Sequence, residues 1–250
     1  MRNSASRIFV LVGRNLKEIL RDPLSLVFTM ALPLFMEILF YFLFHKTAEQ
    51  FSMRYLAPAI VAFSQAFLTL FVGLLIAVDR GSAFLTRLYV SGARSYEFIL
   101  GYALSIMPIA LAQSVLFFLV GGAIDPSIFG LGMLWGILTS MITAVLYVAL
   151  GILFGSLCNE KSVGGVSSIV TVGQSVLSGM WFPLTGISPV IIVIMKCLPF
   201  KNATDLMQNV LGGVADPWLN FGMPLVIVLA YAAVALVAAI LIFGHKMKAK

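Results

Sequence analysis

Charge is scarce in this chain. Only 10% of its 250 residues are Asp, Glu, Lys or Arg, while 61% are hydrophobic. A soluble domain carries about 25% charged residues, so a water-soluble globule is excluded. Cysteine is nearly absent: two residues cannot build a disulfide framework, and no metal-ligand spacing surrounds them. The two histidines, His45 and His245, fall at the ends of different apolar runs and cannot share one site within a single protomer. No Gly-x-x-x-x-Gly-Lys-Ser/Thr loop occurs, which excludes binding and hydrolysis of ATP by that route. Gly-x-Ser-x-Gly, His-Glu-x-x-His and Cys-x-x-Cys are also missing, and an enzyme is poorly supported. The net charge of +6 comes without an arginine-rich tail or an aromatic-interleaved basic patch. It therefore reads as membrane topology, with no nucleic-acid partner. Near the N-terminus Arg14, Lys17, Glu18 and Arg21 interrupt the apolar residues, unlike the unbroken apolar core of a signal peptide.

What the chain does have is long apolar runs. Six reach the roughly 20 residues that a bilayer crossing takes: Leu24–Phe44, Leu56–Val78, Phe98–Gly122, Ile128–Leu157, Val163–Phe182 and Phe221–Phe243. The fifth is the weakest, being rich in Gly and Ser. The pattern predicts one all-α integral membrane domain over residues 1–250, with six transmembrane helices. Residues 183–220 form an outer loop in which Ile187–Leu198, apolar but too short to span, is re-entrant or interfacial. Lys and Arg in short loops set orientation. With six spans the side holding both termini collects Arg2, Arg7, Arg14, Lys17, Arg21, Arg80, Arg87, Arg94, Lys161, Lys246, Lys248 and Lys250. The other side holds Lys46, Arg54, Lys196 and Lys201. Both termini are thus expected in the cytoplasm.

Residues 1–22 read as an amphipathic helix lying in the membrane interface. Ile8, Leu11, Val12, Leu16 and Ile19 share one face, and Arg7, Arg14, Lys17, Glu18 and Arg21 another, with Val10 the exception. Asp22-Pro23 then restarts the chain as an N-cap followed by a first-turn proline. A short basic segment, residues 79–95, separates the second and third runs. It reads Asp79-Arg-Gly-Ser-Ala-Phe-Leu-Thr-Arg-Leu-Tyr-Val-Ser-Gly-Ala-Arg94. As a helix it places Arg80 and Arg87 on one side and pairs Phe84 with Leu88, an element suited to being gripped by a cytoplasmic partner.

Glu37 is the one acidic residue inside an apolar run, and an intramembrane carboxylate is by default a candidate functional group. Its alternative role is structural, hydrated near the outer interface or bonded as a neutral acid. Gln65, Gln113 and Gln174 read as hydrogen-bonding glue between spans, and Gly132/Gly136 and Gly151/Gly155 as sites of close helix approach, within a protomer or at a dimer seam.

The order of these features resembles the ABC-2 type permeases of ABC exporters. The interfacial helix ending Arg21-Asp22-Pro23 is similar to that family's opening helix, and the segment from Asp79 to its coupling helix. Tyr96-Glu-Phe-Ile-Leu-Gly-Tyr102 is similar to the start of its third helix. Leu177-Ser-Gly-Met-Trp-Phe-Pro183 and Leu198-Pro-Phe-Lys-Asn-Ala-Thr-Asp205 resemble its later signatures. The resemblance implies a permease subunit in a bacterial or archaeal cell membrane, acting as a homodimer or heterodimer with two cytoplasmic ABC ATPase subunits. The chain itself binds no cofactor, and ATP and Mg belong to the ATPase. Asp79, Arg80, Phe84, Arg87, Leu88 and Arg94 are then expected at the ATPase contact. Arg7, Arg14, Lys17 and Arg21 are expected on the interfacial helix, and Glu37 along the translocation pathway. A mostly apolar pathway favours export of a lipophilic small molecule or drug, with lipid or lipid-linked glycan as the alternative. An ion-coupled secondary transporter or an intramembrane enzyme using Glu37 is the alternative from another class.

Overall fold

The computed structural model describes residues 4–82, 84, 94–182, 184, 186–212 and 216–248. Every regular element among them is helical. We number the α-helices α1 (Ser4–Leu20), α2 (Pro23–Leu26), α3 (Leu32–Phe44), α4 (Met53–Gly81), α5 (Ser95–Ile124), α6 (Leu131–Leu157), α7 (Glu160–Leu177), α8 (Pro189–Cys197), α9 (Pro199–Gly212) and α10 (Met223–Lys248). A π-helical turn, Val27–Ala31, leads into α3, and a second, Trp218–Gly222, leads into α10.

Among the described residues five helical stretches are long and apolar enough to cross a membrane: Val27–Phe44, Met53–Gly81, Ser95–Ile124, Leu131–Leu157 and Trp218–Ile242. The protein is a multi-pass, all-α membrane protein. The fifth expected span falls on α7, which is helical over Glu160–Leu177 but stops short of Phe182. Its glycines and serines keep it outside the five.

α4 is the axis of the bundle. Its apolar stretch is 78% buried, against 17% for the first span and 22% for the last. α5, α6, α7 and α9 all pack on it. Gly151 and Gly155 of α6 explain how closely α6 approaches: a Cβ on Gly151 would lie 2.8 Å from the Thr69 carbonyl oxygen, and one on Gly155 2.7 Å from that of Gly73. Gly136 meets Phe118 of α5 in the same way, and Gly132 faces Leu211 of α9. Both glycine pairs thus serve packing inside one protomer.

With little hydrophobic drive between helices in lipid, polar side chains join them. Gln65 donates to the Ser140 carbonyl (2.9 Å) and accepts from Thr143 (2.7 Å), while Ser140 donates to Ser114 (2.7 Å). Tyr147 donates to Gln174 (2.5 Å), whose amide donates to Thr204 of α9 (2.8 Å). Gln113 donates to the Thr29 carbonyl (2.9 Å). All three glutamines therefore bridge elements, as their positions predict.

The stretch expected as an outer loop is largely helical. Pro189 opens α8 and Pro199 opens α9. α9 buries Ala203, Leu206, Met207 and Leu211 against the bundle. Its polar residues conceal that pattern in the sequence: Lys201 pairs with Asp205 at 2.9 Å, and Asn202 donates to the carbonyls of Lys196 and Leu198 (2.8 and 2.6 Å).

Candidate functional site

α1 forms as its amphipathic pattern dictates, but its apolar face is turned onto the bundle. Leu11, Asn15 and Ile19, spaced one turn apart, are buried. Leu11 and Ile19 join a core cluster with Phe98, Ile99 and Tyr102 of α5. Gly101 makes this possible, since a Cβ there would lie 2.9 Å from Leu11. Phe9, Val10 and Leu20 remain exposed, as do Lys17 and Arg21. Asp22 accepts from the Leu24 amide (3.1 Å) and so caps the restart at Pro23.

On the edge of that interface, Arg14 grips Asp79 in the last turn of α4. Arg14 Nη1 donates to Asp79 Oδ2 at 2.5 Å and Nη2 to Oδ1 at 2.7 Å. Tyr102 Oη of α5 donates to the same carboxylate at 2.7 Å. Arg14 also pairs with Glu18 (2.9 Å), and its guanidinium lies 4.1 Å above the Phe84 ring. The planar fork suits this work, because it gives two parallel bonds to one carboxylate and stacks on a ring. The hydrogen bond to Asp79 holds the Arg14 guanidinium above its ordinary range, against the opposing effect of burial.

Seven residues earlier on α1 a second tie is made. Arg7 Nη1 stands 3.6 Å from Glu97 Oε2. Glu97 is buried in the first turn of α5 and accepts the Arg94 backbone N–H at 3.1 Å, capping that helix. Two arginines on one helix thus hold both ends of the basic segment between α4 and α5.

Two of the residues expected at the partner contact bond within the chain. Asp79 is 2% exposed and engaged by Arg14 and Tyr102, so its carboxylate is turned into the chain. Arg80 is turned onto α6: its Nη1 donates to the carbonyls of Gly155 (2.7 Å), Ser156 (2.6 Å) and Cys158 (3.2 Å). A cation at a helix C-terminus satisfies carbonyls that lack intrahelical partners and complements the helix dipole. Phe84 is half-buried under Arg14, and Arg94 is exposed. Arg87 and Leu88 lie outside the described residues. Lys17 and Arg21 point to solvent beside Glu18, leaving α1 a basic outer edge.

Glu37 is fully buried at 0% exposure on the face of α3 that meets α4 and α5. A Cβ on Gly121 would come within 3.2 Å of its Oε1 and 3.1 Å of Ala57. Neither carboxyl oxygen has a hydrogen-bond partner among the described residues. The carboxyl therefore faces inward, away from the exposed face of α3 that carries Phe35, Phe42 and Leu43.

Sequence patterns miss Tyr102, Glu97 and Asn15. Tyr102 and Glu97 meet partners 23 and 90 residues away, which leave no local periodicity, and Asn15 accepts from the adjacent Arg14 on a face that the sequence marks as apolar only through Leu11 and Ile19. A tyrosine or glutamate at the end of a span is the one available signal, since its polar group must be satisfied when buried.

The sequence profile of the ABC-2 type transporter family matches residues 6–211. The match takes in α1, both ends of the pinned segment and the bundle through α9. A comparison with curated proteins finds no match.

Proposed function

The chain belongs to the ABC-2 type transporter family, and from that premise we propose that it is the permease subunit of an ATP-driven exporter of lipophilic small molecules. It pairs with a second permease subunit and with two cytoplasmic ATP-binding subunits. The observation that carries this reading is the pinning of the 79–97 segment to α1 by Arg14–Asp79 and Arg7–Glu97.

A segment that transmits force must not slide against its base. Here the base is made of α1, the end of α4 and the start of α5, fastened by charge-assisted bonds with Asp79 and Glu97 buried. A push from an ATP-binding subunit then moves the three elements together. Arg80 extends the connection to the end of α6. Asp79 and Arg80 act as positioning residues. Contact with the partner falls to Arg87, Leu88 and Arg94, and to the basic edge of α1 with Arg14, Lys17 and Arg21. Both termini lie in the cytoplasm, and α7 crosses as the sixth span with its small-residue face against the second subunit. The exposed apolar side chains of α3 and of α7, Ile169, Val172 and Val176 among them, favour a lipophilic cargo.

The test is co-expression with an ATP-binding-cassette subunit, followed by co-purification and measurement of ATP hydrolysis with lipophilic compounds added. Stable association, hydrolysis stimulated by cargo, and loss of association in Arg87→Glu with normal membrane insertion are expected. Transport by the chain alone, driven by a pH gradient without nucleotide, would overturn the reading.

A further inference from the structure

α3 is lightly held. Of its thirteen residues only Pro33 and Glu37 are fully buried, and the π-helical turn Val27–Ala31 directly precedes it. Such turns and prolines are where helices bend. The seam that α3 closes is apolar, built from Leu56, Ala57, Ile60 and Phe117 with Leu34, Met36 and Phe40. Into it the chain inserts one carboxyl group, opposite Gly121 and without a hydrogen-bond partner among the described residues.

We propose that Glu37 is a proton-binding latch: with the proton on its carboxyl α3 lies closed against α4 and α5, and release of the proton to water drives α3 outward along its π-helical hinge. Gly121 and Ala57 lie close beside the carboxyl, since one added carbon on Gly121 would stand 3.2 Å from Glu37 Oε1 and 3.1 Å from Ala57, and the cation this seam exchanges in the proposal is the carboxyl's own proton. An ionised, unpartnered carboxylate in an apolar seam is strongly disfavoured, whereas one hydrated by the opening of α3 is not.

The charged and titratable groups on the surrounding elements are engaged elsewhere or exposed. On α3 itself Tyr41 stacks on His45, whose ring nitrogen bonds the Tyr41 carbonyl. Beyond it Lys46 and Glu49 are exposed. On α4 Arg54 donates to the Leu211 carbonyl, Tyr55 is half-buried and lines an open pocket with Glu49 and Gln208, and Asp79 and Arg80 make the contacts with α1 and α6 described above. On α5 Glu97 and Tyr102 belong to those same contacts, and Asp125 caps the following turn by accepting from Ser127.

The test uses the full chain in lipid nanodiscs without a nucleotide partner. Hydrogen exchange over residues 32–44, corrected for intrinsic rates, is followed across pH, with infrared spectra for the carbonyl stretch of a protonated carboxyl. One proton released on opening makes the opening constant rise about tenfold per pH unit. That slope and a protonated-carboxyl band are expected in the wild type, and both are expected to be missing in Glu37→Gln. Equal slopes in the two proteins, or an ionised Glu37 with α3 protected, would overturn the latch. If Glu37→Gln fails to fold, the wild-type slope and band decide alone, and absence of either rejects it. No readout involves an ATP-binding subunit, so failure here leaves the transport reading intact, and the converse holds.

Discussion

Arg14 and Asp79 are 65 positions apart in sequence and joined by two hydrogen bonds of 2.5 and 2.7 Å. Tyr102 adds a third to the same carboxylate. Three elements converge on a single buried acid at one end of the bundle, and the Arg7–Glu97 pair closes the other end of the segment between them. α1 acts less as a float on the membrane than as a splint along α5.

Removing one member of the Arg14–Asp79 pair strands the other. When both charges are fully buried that costs about 3–5 kcal/mol. Arg14 is a third exposed, so Arg14→Ala belongs near the low end, about 3 kcal/mol. Arg14→Lys cannot restore two parallel bonds and recovers little. Tyr102→Phe, which removes one hydrogen bond to a charged group, costs about 2 kcal/mol. Thermal unfolding in detergent measures all three, and proteolysis near Arg21 reports whether α1 has come free. Equal stability of Arg14→Ala and wild type would remove the splint.

Much of this architecture is visible in the residues. The apolar runs locate the spans, and Asp22-Pro23 marks the break after α1. Gly151 and Gly155 announce a close approach, and the three glutamines act as the bridges that their positions suggest. Partner identity is not visible. Nothing local tells that Asp79 turns inward to Arg14, or that Arg80 caps α6, because both contacts join residues 65 or more positions apart. α9 escapes detection because Lys201, Asn202 and Asp205 break its apolar pattern, and the bonds of Lys201 to Asp205 and of Asn202 to the Leu198 carbonyl emerge only once the helix is folded.

Gly151 and Gly155 of α6 meet backbone, which cannot step aside. Gly151→Ala or Gly155→Ala must push α6 from α4, and overpacking of this kind costs about 1–3 kcal/mol. Gly165→Ala on α7, where nothing lies within 4 Å of the added carbon, is the control and should be silent in the isolated chain. Thermal unfolding of the three variants checks the difference. A silent Gly155→Ala would show that the helices are not in contact there.

Asp205 carries a pH dependence of definite sign. Burial raises its carboxyl above the ordinary range, with Lys201 and then Lys196 opposing. The folded chain therefore takes up this proton more readily than the unfolded chain. Its contribution to stability is fully present below the unfolded carboxylate value, about 4, and is lost as pH rises through the higher folded value. On acidification from neutral pH the wild type should gain stability relative to Asp205→Asn. Unfolding temperatures of the two proteins at a series of pH values give the comparison. A wild type that loses ground instead would mean that the Lys201 pair outweighs burial.

Topology rests on α7, the one expected span that is not among the five long apolar helices. The native cysteines bracket it: Cys158 is half-buried just before α7, and Cys197 is exposed at the end of α8. If α7 crosses, they lie on opposite sides of the membrane; if it does not, they share one side. The excess of Lys and Arg on the Cys158 side predicts that this side is cytoplasmic. A membrane-impermeant thiol reagent applied to intact cells should label Cys197 and leave Cys158 untouched, while permeabilised cells should yield both. Cys158→Ser and Cys197→Ser assign each signal. Loss of all labelling in intact Cys197→Ser cells, with labelling retained in intact Cys158→Ser cells, establishes α7 as a crossing helix. Labelling of both cysteines from outside, or of neither until the membrane is opened, would place α7 along one face of the bilayer. It would also return the chain to five spans with its termini on opposite sides.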